Sequence, residues 1–105
     1  MDGTFLKLYV PQTTRHHGKL LYEWILETAH ALGIPGGSAF RAIAGYGRHG
    51  RLHEEHFFEL AGDLPLAVEF FAEDAAIDRL LDALRNEKIS LFYVKTGVTG
   101  GLTSQ

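Results

Sequence analysis

Three groups of residues in this 105-residue chain have the types and spacing to do chemistry. The first is Gly45-Tyr46-Gly47-Arg48-His49-Gly50, which fits the pattern G-x-G-x-x-G. In a dinucleotide-binding fold such glycines turn a strand into a helix and bring a pyrophosphate against the helix N-terminus. Here the motif follows the second predicted strand with no right-handed strand–helix–strand unit after it, so that use is rejected. A looser use remains: successive glycines leave backbone N–H groups free to face an anion, with the Arg48 guanidinium beside them. The alternative is that Gly45 and Gly47 only bend a strand end into a long loop.

The second group is the histidines. Five of the six lie in two polar stretches, His16-His17 and the set His49, His53 and His56. His53-Glu54-Glu55-His56 is not the H-E-x-x-H zinc signature, because its histidines are three apart. On a helix an i, i+3 pair still shares a face and can hold a divalent transition metal, with a third ligand from a glutamate, His49 or another subunit. The competing reading is a solvated loop with incidental histidines. His30, between polar neighbours, reads as a surface residue. The third group, Ser38, Ser90 and Ser104, has no base beside any member in sequence, so catalysis is not expected.

Composition narrows the partners. Ten Lys+Arg against thirteen Asp+Glu give a net charge of −3, which argues against a phosphate-coating face and hence against nucleic acid. The absence of cysteine excludes disulfides, thiolate metal sites and Cys nucleophiles. A hydrophobic fraction of 46% with 22% charged residues is that of a globular protein, and one domain over 1–105 is expected. The N-terminus has no basic and apolar leader, and no apolar run reaches the ~18 residues of a membrane span. A cytoplasmic protein without membrane insertion is expected.

The elements that must position these groups follow from periodicity. Thr4 to Val10 alternates, with Leu6, Leu8 and Val10 on one face and Phe5, Lys7 and Tyr9 on the other, which predicts a strand. From His17 to Leu32 the spacing is helical, with Leu20, Leu21, Trp24, Ile25, Thr28, Ala31 and Leu32 forming an apolar stripe that Gly33 ends. Ser38 to Ala44 is the second strand, Leu64 to Phe71 the third and Ser90 to Lys95 the fourth. Ile77, Leu80, Leu81 and Leu84 mark a second, one-faced helix. A flexible loop is expected over about 48–62 and a loose tail over about 97–105.

The order β-α-β-β-α-β is that of an α+β, ferredoxin-like sandwich, with both helices on one face of an antiparallel sheet. The other face would carry Phe5, Tyr9, Ile43, Ala67 and Phe71 mixed with Lys7, Arg41 and Glu69. So apolar a face predicts a subunit interface.

Several stretches carry a family resemblance. They are His17-Gly18-Lys19-Leu20-Leu21-Tyr22, Gly33 to Gly37, Ala44-Gly45-Tyr46-Gly47, and Phe57-Phe58-Glu59-Leu60 with Asp63-Leu64-Pro65. Together they resemble the family called domain of unknown function 190, a branch of the PII-like signalling proteins. The resemblance runs from about Leu6 to Val94. It implies a PII-like regulatory homotrimer that binds adenine nucleotides (ATP, ADP or AMP, with Mg) in clefts between subunits. It also implies regulation of a partner through the long loop, the partner being a membrane transporter or ion exporter. The nucleotide- or anion-binding residues it implies are Arg41, Gly45, Tyr46, Gly47, Arg48, His49 and Lys88. The sequence departs from PII at two points. His49 stands where PII has a glutamine, and Arg85-Asn86-Glu87-Lys88-Ile89 replaces a glycine-rich phosphate loop. The alternatives are a metal-binding trimer using His53 and His56, and an interaction protein with no small ligand.

Overall fold

The computed structural model describes residues 1–46 and 65–104. Its main sheet has four strands, β1 (Asp2–Pro11), β4 (Gly37–Arg41), β5 (Pro65–Ala72) and β6 (Tyr93–Thr99), and a two-stranded hairpin is formed by β2 (Arg15–His16) and β3 (Lys19–Leu20). The helices are α1 (Leu21–Ala31) and α2 (Asp74–Asn86). The strand order is β4-β5-β1-β6 with every pair antiparallel. This is the expected ferredoxin-like α+β sandwich.

One sheet face makes the core. Leu6, Leu8 and Val10 of β1 stand opposite Phe70, Val68 and Leu66 of β5 in register, and all six are buried. Both helices close over them. Ile25 and Ala29 from α1 and Ile77, Leu80 and Leu84 from α2 join a single apolar cluster with Leu6, Leu8, Val10, Val68 and Phe70. The i, i+3, i+4, i+7 spacing of α2 is thereby spent on one continuous core.

The helix ends share a device. Ile34 N–H donates to Ala29 O (3.1 Å) and Gly33 N–H to His30 O (3.1 Å), while Ile89 N–H donates to Leu84 O (3.0 Å) and Lys88 N–H to Arg85 O (2.9 Å). Both are Schellman endings, which need a residue with positive φ at the first position past the cap. Gly33 supplies it at φ 87° and Lys88 at φ 58°.

Four expectations are corrected. The helix begins at Leu21, because His17 (φ 52°) and Gly18 (φ 81°) form the two-residue turn of the β2–β3 hairpin. Positive φ at both central residues is the mark of a type I′ turn. Second, β4 ends at Arg41 and has the opposite facing. Arg41 pairs with Leu66 on the helix side, and Phe40 pairs with Ala67 on the open side. The reason is Phe70, whose ring occupies the space that a Cβ on Gly37 would need. The core side of β4 is thus filled from β5 and takes only small residues there. Third, the last strand starts at Tyr93 instead of Ser90. Fourth, it continues through Thr99, because the first residues of β1, Asp2 to Thr4, pair with Thr99 to Gly97, a segment expected to be tail. The loop expected over about 48–62 lies outside the described residues.

The start of α2 is tied down by polar contacts. Thr4 Oγ1 donates to Asp74 Oδ1 (2.8 Å), and Lys95 Nζ reaches Asp74 (3.1 Å) and Asp78 (2.8 Å). The Thr4 hydrogen bond first, then the Lys95 bond, hold the Asp74 carboxyl below its ordinary range. A carboxyl lowered by folding stabilises the fold above its unfolded pKa, and that contribution is lost as pH falls through the lowered value.

Two outcomes follow. In urea denaturation Ile77→Ala should cost about 2–5 kcal/mol, the range for truncating a fully buried aliphatic side chain. Asp74→Asn should be less stable than wild type near neutrality and lose that difference below the ordinary carboxylate range. A difference that stays constant with pH would contradict the assignment.

Candidate functional site

The strand-end candidates and the α2-end candidate arrive at the same end of the sheet. Arg41 closes β4 opposite Leu66, which stands opposite Val10, and Tyr9 N–H donates to Phe92 O (3.0 Å) just ahead of β6. The segment Arg41–Tyr46 therefore leaves from the same end of the sheet at which residues 87–92 enter, but at the opposite edge. Three strand spacings, about 14 Å, separate these two edges. Arg41, Gly45 and Tyr46 are all exposed, Tyr46 at 73%. The structure does not bring Arg41 and Lys88 together within one chain; they stand at opposite edges of one sheet end. Gly47, Arg48 and His49, with the metal candidates His53 and His56, lie outside the described residues.

Lys88 borders a concavity. A cavity of about 350 Å³ opens between the last turn of α2 and the start of β6, floored by Leu8, Leu81 and Leu84 and rimmed by Arg85, Lys88 and Tyr93. Arg85 is engaged by Asp82 at 3.1 Å. The Lys88 ammonium has no partner among the described residues, so the rim carries an available positive charge over an apolar floor. That combination suits an amphipathic anion. A second hollow of about 300 Å³, lined by Arg15, His16 and Leu21, shares Ile89, Ser90 and Leu91 with the first.

Sequence reasoning missed the neighbouring cluster. Nε2 of His16 and Nε2 of His17 each donate to Glu87 Oε1 at 2.9 Å. Hydrogen bonds from His17 first, then His16, hold the Glu87 carboxyl below its ordinary range. Adjacency of the two histidines was the available signal. Glu87 lies 70 residues beyond them, and no periodicity links the two places.

Opposite the helices, the sheet is open. Phe40, Phe92 and Val94 are 53%, 59% and 40% exposed there, and Tyr9 packs on Phe92 with ring centroids 5.7 Å apart. Lys7 and Glu69 pair at 3.5 Å in the middle of this face. Its apolar character was expected; Phe40 belongs to it in place of Arg41 and Ile43.

Against known proteins, the model of the family DUF190, described as an uncharacterised ACR, matches residues 3–97. The chain belongs to the DUF190 family. This DUF190 protein is 33% identical over 90 residues to a UPF0166 protein of Aquifex aeolicus (strain VF5), covering 86% of each chain. It is 32% identical over 84 residues to a UPF0166 protein of Methanocaldococcus jannaschii, covering 80% of this chain and 77% of the relative. Among solved structures it resembles CPII of Thiomonas intermedia K12, bound to ADP and bicarbonate. The TM-score is 0.53 at 15% identity, over 93% of this chain and 89% of CPII. The fold of this DUF190 protein is therefore PII-like. Among the described residues no helix is long and apolar enough to cross a membrane.

The strained Lys88 separates stability from binding. A non-glycine residue in the left-handed region costs ~1–2 kcal/mol, partly offset by the greater chain entropy that glycine loses on folding. Lys88→Gly should therefore raise stability by up to about 1 kcal/mol in urea titration. The same variant should weaken binding of any anion that uses the α2-end cavity. Lower stability would show that the lysine stem is needed for packing.

Proposed function

We propose that this DUF190 protein is a PII-like regulator, not an enzyme. In this reading it binds a small anion of the adenine-nucleotide class between subunits of a homotrimer and signals through the segment joining β4 and β5. The observation that carries the reading is the placement of that segment's exit, Arg41–Tyr46, at the same sheet end as the Lys88-rimmed cavity. The two lie at opposite edges of one subunit, so a ligand touching both kinds of residue is best accommodated where subunits meet. The open aromatic face supports assembly, since a monomer would leave Phe40, Phe92 and Val94 in water. The PII-like likeness to a protein with bound ADP and bicarbonate supports the ligand class. Arg48 and His49 are proposed to complete the anion contacts, Mg to accompany the nucleotide, and a cytoplasm-facing membrane transporter or ion exporter to be the regulated partner.

The test combines ligand and assembly. Sedimentation at micromolar concentration should give a trimer. Thermal unfolding should rise with one of ATP, ADP or AMP in the presence of magnesium, by about 2.7 kcal/mol of stabilisation at roughly a hundred times Kd. Arg48→Ala and Lys88→Ala should each reduce the shift. A monomer, or no shift with any of the three nucleotides, would sink the proposal.

A further inference from the structure

We infer that His16, His17 and Glu87 form a three-ligand site for a zinc-type divalent transition metal, independent of the nucleotide reading. Their nearest ligand atoms all lie within 4.8 Å of one another, with both imidazole nitrogens 2.9 Å from the same carboxylate oxygen. Ligand atoms of a tetrahedral zinc centre with bonds of about 2.0–2.1 Å stand about 3.3 Å apart, so small side-chain shifts reach that geometry. Two imidazoles and one carboxylate, in a chain without cysteine, are a nitrogen–oxygen set suited to zinc, copper or nickel. The fourth position is left to water or an incoming ligand, as in metal sites with three protein ligands.

Three features of the fold prepare this cluster. His16 is fixed by the β2–β3 ladder and by edge-on packing against Trp24, with ring centroids 4.8 Å apart. His17 is aimed by a type I′ turn at φ 52°, a conformation that asparagine or glycine would hold with less strain. Strain retained at a side chain that meets its neighbours is a reason to look for function there. Glu87 caps the C-terminus of α2, the negative end of the helix dipole, where a carboxylate is unfavourable unless a cation joins it. The nearby cations do not take that place: Arg15 donates to Gly18 O at 3.2 Å and Lys19 to Glu27 at 2.6 Å.

The experiment uses the full chain, stripped of metal by chelator and titrated calorimetrically with Zn²⁺ alone. The background carries His49→Ala, His53→Ala and His56→Ala, so that the other histidine stretch cannot supply the signal. One Zn²⁺ per chain is expected, with the His16 and His17 ring resonances perturbed on addition. Into that background His17→Asn is introduced, which keeps the turn and removes the imidazole. Affinity should fall by more than the ~10–100-fold typical of losing a mere outer-shell partner, and Glu87→Gln should also weaken it. Absence of zinc binding in the background, or unchanged affinity with His17→Asn, would overturn the site and leave the cluster as a hairpin tether.

Discussion

The in-register stacking of β1 on β5 is the constraint on which the other elements depend. Leu6, Leu8 and Val10 can be buried only if Phe70, Val68 and Leu66 point the same way, because a one-residue slip would send both sets to water. With that face committed to the core, both helices lie on it and the opposite face is left uncovered by the chain itself. The edges then inherit their roles. β4 leads out of the sheet toward the residue 47–64 segment, and β6 receives the chain from the end of α2. Both junctions fall at one end of the sheet, which gathers the polar and strained residues there.

How far the sequence revealed this depends on which forces were local. β1, β5 and α2 were legible because alternation and helical spacing are recorded in consecutive residues. β4 was misread because its facing is decided by a residue of another strand, Phe70, which occupies the space over Gly37. The start of α1 was misread because apolar spacing extends through Leu20 and cannot show that His17 and Gly18 adopt left-handed backbone. The end of β6 was hidden for a related reason, since its partners sit at the opposite terminus of the chain.

The candidate site divides in the same way. Lys88 was reached through a family pattern, and the structure gives it a cavity and an unfavourable backbone conformation that the pattern did not contain. His17 and Lys88 are the two non-glycine residues with positive φ among the described residues, and Glu87 links them, bonded to one and adjacent to the other. Two separate departures from relaxed backbone thus meet at one helix end, a juxtaposition legible only once the chain is folded.

The Lys7–Glu69 pair gives the bare sheet face a discriminating character. In water such a pair is screened and contributes little. Under a purely greasy covering, both charges would be stripped of solvent, which disfavours indiscriminate sticking to other apolar surfaces. A surface that supplies hydrogen bonds at that point, as well as apolar contact for Phe40 and Phe92, avoids the penalty. An ion pair at the centre of a face rich in aromatic side chains therefore opposes burial against any surface that offers apolar contact alone.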